Sequence, residues 1–267
     1  MDAPPEARVW SPRRLREHWN ERARSFRPFT ASPTTRFYHR DERRLFERHF
    51  GDLRGKSLLK LDLWNDIHNT RILDWAARQG AHVAALDISD HVVRGARANF
   101  EAAGLPHRFV LADCRQIPFA DATFDCLYTM GTIEHFDRWD LALSEIRRVL
   151  KPGGTAVIGV PNKLDPFLRP LTVWFFGLFG LYPYAPEKSF THGELARAVR
   201  AAGLEVEAAD GILFYPGLWR IADVMLYQVS PLLSKLMAPT VWPFEFLSKR
   251  FALLRRSGYL ICCRARR

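Results

Sequence analysis

The chain has 267 residues, 48% of them apolar, and a formal net charge of +10. That apolar share is enough to bury a full core and excludes a disordered composition. Its four cysteines, Cys114, Cys126, Cys262 and Cys263, show no C-x-x-C spacing and no disulfide framework, which fits a reducing cytosol.

Residues 1–10 carry no apolar run ahead of a small-residue cleavage site, so no secretory signal is expected. Residues 1–54 hold thirteen arginines against eight acids. Within them, 11–27 and 33–50 read as two helices separated by Pro28 and Pro33. Phe37, Leu45, Phe46 and Phe50 fall at spacings compatible with one buried stripe. Gly51 and Gly55 release the chain into an apolar run, 57–63, that reads as a first strand.

Alternation follows. Residues 70–79 read as a helix stopped by Gly80, 82–87 as a strand, and 89–103 as a helix stopped by Gly104. Residues 108–111 and 124–130 read as strands. A helix through 141–150 precedes the turn Lys151-Pro152-Gly153-Gly154 and a strand at 155–160. This spacing predicts an α/β fold, a parallel sheet with helices on both faces. Beyond it, residues 163–190 form an aromatic, proline-punctuated insert whose unbroken apolar run is too short to span a membrane. A helix at 192–202 and a strand at 205–213 precede a second apolar, helical insert at 216–256, and 259–263 closes as a last strand. Residues 247–267 hold seven basic residues and no acid. The basic ends suit an anionic membrane surface or nucleic acid; solvated arginine-rich faces account for them equally.

Three acids end successive strands: Asp62, Asp87 and Asp113. In an open parallel sheet the ligand crevice lies beyond the carboxyl ends of the strands, so all three are expected at one site. An acid ending the second strand accepts bonds from both ribose hydroxyls, and one ending the third can hold an adenine amino group. Each is also a natural helix N-cap, but Ser89 is a rival cap that leaves Asp87 free.

Ala85-Leu86-Asp87-Ile88-Ser89, Ala112-Asp113, Pro118-Phe119-Ala120-Asp121-Ala122-Thr123-Phe124-Asp125, Gly131-Thr132-Ile133-Glu134-His135-Phe136 and Leu150-Lys151-Pro152-Gly153-Gly154 stand in register. Together they resemble class I S-adenosylmethionine (SAM)-dependent methyltransferases over about 36–215, and most of all the small-molecule branch that includes quinone-biosynthesis enzymes. The resemblance implies a three-layer, Rossmann-like seven-stranded sheet. It implies a helical cap at 1–54, a methyltransferase domain at 55–267, and SAM as cofactor. Asp87 and Ile88 would lie at the ribose, Asp113 and Cys114 at the adenine, and Met130 and Gly131 at the methionine end. Arg36 and Tyr38 would be near the cofactor carboxylate, or merely solvent-facing and packing. A dinucleotide-binding dehydrogenase is disfavoured because no G-x-G-x-x-G turn is present.

The departure is the first loop, 58–70, which has no glycine. Counted from Asp62, the family's glycine positions hold Trp64, Asp66 and His68; counted back from Gly80 they hold Asp66, His68 and Thr70. Asn65, Asp66 and Asn69 are the residues best able to take a left-handed turn. Trp64 could face the sulfonium and Asp66 the amino group, or Trp64 and His68 could fill the cofactor's place.

His135 lies just past the fourth strand, where an imidazole can serve as general base or simply pack. No metal-ligand spacing and no nucleophile elbow is present. The aromatic inserts carry Trp174, Phe175, Phe176, Trp219, Trp242, Phe244 and Phe246, which points to an apolar small-molecule acceptor or to contact with a bilayer. Leu247, Phe251 and Leu254 at helical spacing beside Lys249, Arg250, Arg255 and Arg256 suit a membrane-interface helix or an internal lid. Nucleic acid is disfavoured for want of a binding motif. The expected function is therefore SAM-dependent methyl transfer to oxygen or carbon of a small lipophilic metabolite, in the cytosol or at a membrane periphery. A non-catalytic binding protein of the same fold is the alternative.

Overall fold

The computed structural model describes residues 10–178, 182 and 184–267. The insert residues Phe179, Gly180, Leu181 and Pro183, like 1–9, lie outside them. The chain opens with α1 (Pro12–Ser25) and α2 (Pro33–His49), each begun by a serine N-cap, Ser11 or Ser32, and a proline in the first turn. There follow β1 (Ser57–Lys60), α3 (Trp64–His68), α4 (Ile72–Arg78), β2 (His82–Asp87), α5 (Asp90–Ala102), β3 (Arg108–Leu111) and β4 (Phe124–Met130). A 3-10 turn at Ile133–His135 leads to α6 (Trp139–Val149), β5 (Leu150–Pro161), α7 (Arg169–Leu178), α8 (His192–Ala201) and β6 (Glu205–Ile212). The last stretch is α9 (Gly217–Val229), α10 (Pro231–Ser234), α11 (Ala238–Arg250), α12 (Ala252–Arg256) and β7 (Leu260–Arg266).

The seven strands form one sheet in the order β3-β2-β1-β4-β5-β7-β6. β1 to β5 pair in parallel, whereas β7 runs antiparallel between β5 and β6. Alternate side chains point to opposite layers. Leu58 and Ala85 join the core beneath α2 and α5, while Leu59, Ala84 and Leu86 join the core beneath α6 and α8. The expected stripe of α2 is buried: Phe37, Leu45, Phe46 and Phe50 all pack on the sheet. The fold is thus the three-layer, Rossmann-like α/β arrangement, with its topological switch between β1 and β4.

The first strand and its loop differ from the sequence expectation. β1 stops at Lys60, the helix expected over 70–79 forms as α4, and an additional short helix, α3, stands before it. The left-handed residue between them is Arg71 (φ 54°), and not Asn65, Asp66 or Asn69. A side chain there costs about 1–2 kcal/mol. The Arg71–Asp74 ion pair at 2.7 Å holds it in place.

Candidate active site

A cavity of about 160 Å³ opens at the carboxyl ends of β1, β2 and β4, walled by α1 on one side and α9 on another. Asp62, Trp64, Asp87, Ile88, Cys114, Met130, Gly131 and His135 all line it. Asp66 and Asp113 are absent from its lining.

Asp66 turns inward instead. Its carboxylate lies 3.0 Å from the buried Lys60 ammonium, and its Oδ1 accepts the Leu73 N–H at 2.9 Å. It thereby satisfies a donor in the first turn of α4, whose own N-cap Arg71 supplies no side-chain bond. Lys60 also reaches Asp62 Oδ1 at 2.8 Å. Burial opposes the Lys60 charge, but Asp62 and Asp66 overcome that cost and raise its pKa. The sequence offered Asp66 to the cofactor's amino group because it stands at one of the family's glycine positions in the loop. The buried lysine draws it inward instead.

Asp113 is likewise engaged elsewhere. Arg115 grips it through Nε at 3.0 Å and Nη2 at 2.6 Å, and the Arg115 backbone N–H adds a third bond. Cys114 and Ala112 present their surfaces to the cavity in its place. Of the two residues expected near a cofactor carboxylate, Tyr38 lines the cavity and Arg36 is exposed.

Asp87 sits where an acid at the end of β2 is expected. Its Oδ1 accepts from Ser89 N–H at 2.8 Å and its Oδ2 from Leu63 N–H at 2.9 Å. Each carboxylate oxygen keeps a further lone pair. Burial pushes its pKa up to about 7, against the pull of the two backbone donors. Ser89 caps α5 by accepting Val92 N–H, and its hydroxyl donates to Asn20 Oδ1 at 2.6 Å, tying α1 over the site.

Trp64 begins α3 and packs in an aromatic group, with ring centroids 5.3 Å from Trp19 and 4.4 Å from His68. Met130 ends β4 and folds over Gly159 of β5, where any Cβ would collide with its sulfur. Gly131 follows with φ 81°, a conformation that favours glycine.

Arg220 is the site residue that sequence reasoning missed. It projects from α9, donates to the Thr34 and Thr35 hydroxyls, and reaches Asn69 Oδ1 at 2.9 Å. These hydrogen-bond partners are neutral; the Asp223 carboxylate, itself hydrogen-bonded by Thr34 and Ser234, pairs with Arg220 Nη1 at 3.9 Å. A cation is thus held at the cavity wall. The only signal in the sequence is an arginine inside an otherwise apolar helical stretch.

The same cavity is also lined by Glu134, His135, Glu187 and Arg169. The Pro186 carbonyl can only accept, so the 2.9 Å bond to His135 Nδ1 places the imidazole proton there and leaves Nε2 as an acceptor. Burial lowers the His135 pKa and keeps the ring neutral, and burial raises that of Glu134. Ligand atoms of Glu134, His135 and Glu187 lie within 4.8 Å of one another, an arrangement that could hold a metal ion. Arg169, however, already pairs with Glu187 at 2.5 Å, and its guanidinium covers the Tyr259 ring at 4.3 Å. The cluster therefore presents one neutral imidazole beside a carboxyl, and no bare dicarboxylate.

Residues 69–158 match the sequence profile of a family described as a methyltransferase domain. The seven-stranded, Rossmann-like sheet is the one the resemblance implied. Residues 69–158 carry a methyltransferase domain. It is 33% identical over 141 residues to a demethylmenaquinone methyltransferase of Thermus thermophilus, covering 46% of this chain and 63% of that one. It is 29% identical over 154 residues to a ubiquinone biosynthesis O-methyltransferase of a Methylobacterium species, covering 55% and 61%. The chain thus spans less than two thirds of the curated relatives it matches. A putative methyltransferase of Haloferax volcanii, solved with its Trm112 activator, shares the fold with a TM-score of 0.62 at 18% identity, over 96% of this chain and 97% of that one. The [4+2]-cyclase SpnF shares it with a TM-score of 0.58 at 17% identity, over 100% and 97%. Among the described residues, no helix is long and apolar enough to cross a membrane.

Proposed function

We propose that the chain transfers the methyl group of SAM to an oxygen or carbon atom of a small lipophilic acceptor. The observation that carries this is Asp87: a buried carboxylate at the end of β2, braced by two backbone donors, with acceptor capacity left at the cavity wall. Those free acceptor positions fit the hydroxyl donors of the ribose diol of SAM. Asp62, with its side chain partly exposed in the cavity, fits the ammonium group, and the Arg220 guanidinium fits the carboxylate. Ile88, Ala112 and Cys114 fit the adenine face, and the Trp64 ring would lie near the sulfonium. When bound, SAM supplies an electrophilic methyl group.

The chain's own residues would do the rest. His135 Nε2 would take the proton of an acceptor hydroxyl or activated carbon as the bond to methyl forms. Tyr184, Met225 and Ile221 would hold the acceptor and exclude water. The names of the relatives, which act in menaquinone, ubiquinone and sterol methylation, support an acceptor of that lipophilic kind.

An alternative is a ligand-binding domain without transfer, and one observation favours it. The cavity is smaller than the ~300 Å³ at which small-molecule sites usually begin, and Trp64 forms part of its wall. Titration calorimetry with SAM and S-adenosylhomocysteine separates the two. Saturable binding of both, greatly weakened in Asp87→Ala, is the expected result. No heat at millimolar ligand would leave the binding-domain alternative standing.

A further inference from the structure

Large apolar side chains are exposed on this protein mainly in the two inserts. Leu171, Trp174, Phe175 and Leu178 of α7 recur at i, i+3, i+4 and i+7, and each is 41–55% exposed. That is the spacing of a buried helical stripe, turned outward. On α9, Leu218, Met225 and Val229 share one exposed face, and on α11 the exposed rings of Trp242 and Phe246 stack at 5.8 Å. α10 and α12 add Leu232, Leu233 and Leu253. The inserts are packed together, because Phe167 meets Phe244, and Phe244 meets Trp219.

Charge sorts with this surface. Of the insert acids, Asp165 and Asp223 are buried, Glu187 pairs with Arg169, and Glu245 is engaged by Arg40, Arg44 and Lys249. Among the described residues of α9–α12, the exposed charges are positive: Lys235, Lys249, Arg250 and Arg256. A water-soluble protein partner would need no such one-sided charge. An apolar face rimmed by cations matches the acyl boundary and headgroups of an anionic bilayer.

We propose that α7 and α9–α12 seat the protein on an anionic membrane surface, and that the acceptor reaches the cavity from that side. Met225 joins the two regions, since it is exposed on α9 and also lines the cavity with Ile221 and Val224. The seating stands apart from methyl transfer; only the acceptor's route rests on the proposed function.

The test is co-sedimentation with vesicles of phosphatidylcholine alone and with added phosphatidylglycerol. Binding to the anionic vesicles, falling as salt rises, is the expected result. Trp174→Glu with Phe175→Glu, and separately Arg250→Glu with Arg256→Glu, should each weaken partitioning by about tenfold or more. Neither pair lines the cavity, so SAM affinity and melting temperature should stay as in the parent chain. Absence of vesicle binding, or binding that both variants retain, overturns the proposal. Sedimentation velocity that shows a dimer dissolved by Trp174→Glu would instead assign the face to a second copy and overturn it as well. Since SAM affinity is read in parallel, failure of the seating and failure of the methyltransferase assignment give different results.

Discussion

The backbone N–H of Leu63 donates to Asp87 Oδ2 at 2.9 Å, so the glycine-free loop is fastened to the acid that ends β2. The loop and the expected ribose site are one mechanical unit, and changes on either side should be felt on the other.

Asp87→Ala should therefore destabilise the fold as well as the site. It strands the N–H groups of Leu63 and Ser89 in a buried place, at about 1–3 kcal/mol each. Asp87→Asn keeps one acceptor and should cost about half as much. Urea denaturation of the two variants checks this. Equal stability for both would show that the two backbone bonds contribute nothing.

The pH dependence follows from the same residue. Asp87 has a folded-state pKa raised by burial to about 7, well above the unfolded carboxylate. The folded state then binds more protons than the unfolded one between about pH 4 and 7, so stability falls as pH rises through that window, and the loss stays constant above it. Asp41 and Glu42, raised by burial to about 6 and about 7, act in the same direction. A ribose diol prefers the ionised carboxylate, so SAM affinity should rise with pH up to about 7 and then level. Calorimetry across pH should show that rise in the parent chain and a flat profile in Asp87→Asn.

Lys60→Met should be among the most damaging single changes. It leaves Asp66, fully buried, without its cation, a loss of about 3–5 kcal/mol for a broken buried pair. Lys60→Met combined with Asp66→Asn should recover part of the loss, because the neutral amide carries no buried charge and its oxygen can still accept from the Leu73 N–H. Thermal melts of the single and double variants decide it; no recovery would mean that Lys60 acts through Asp62 alone.

How much was legible in the sequence can be judged on such pairs. The limits of β2 and β4 could be read closely, because alternation and flanking turns are local signals. α3 could not be read. A five-residue helix is unstable alone, and this one stands because Lys60 and Asp87 hold its flanks from neighbouring strands. Asp87 and His135 were expected near the cavity they line because one ends a strand and the other lies just past one. Arg220 was missed because its partners Thr34, Thr35 and Asn69 lie more than a hundred residues away in the chain. Asp66 and Asp113 were assigned to the site by position, and in both cases a neighbouring cation claims the side chain.

His135→Gln should leave SAM affinity unchanged and lower kcat by about 10²- to 10⁴-fold. In the parent chain the acid limb of kcat should fall below the usual histidine value of about 6.5, since burial lowers the imidazole pKa. Stopped assays at saturating SAM with a methylatable hydroquinone acceptor test both points. A kcat within a few-fold of the parent would assign His135 to packing.

Trp64→Ala asks whether the indole lines the cofactor place or blocks it. Loss of a cation–π contact should weaken SAM binding by about 2- to 30-fold, the equivalent of roughly 0.5–2 kcal/mol. Tighter binding would mean that the ring obstructs the site.

The Lys60 ammonium, buried between Asp62 and Asp66, has one more consequence. Where bare backbone gives such a loop its closeness to a ligand, the loop stays supple and must be ordered when the ligand arrives. Here the ion pairs and the Leu63–Asp87 bond set the loop's shape during folding itself. A rigid receptor of this kind loses little entropy on binding but tolerates little variation in what it accepts. This protein should accordingly discriminate among SAM analogues altered at the amino-acid end more sharply than a chain with a flexible loop.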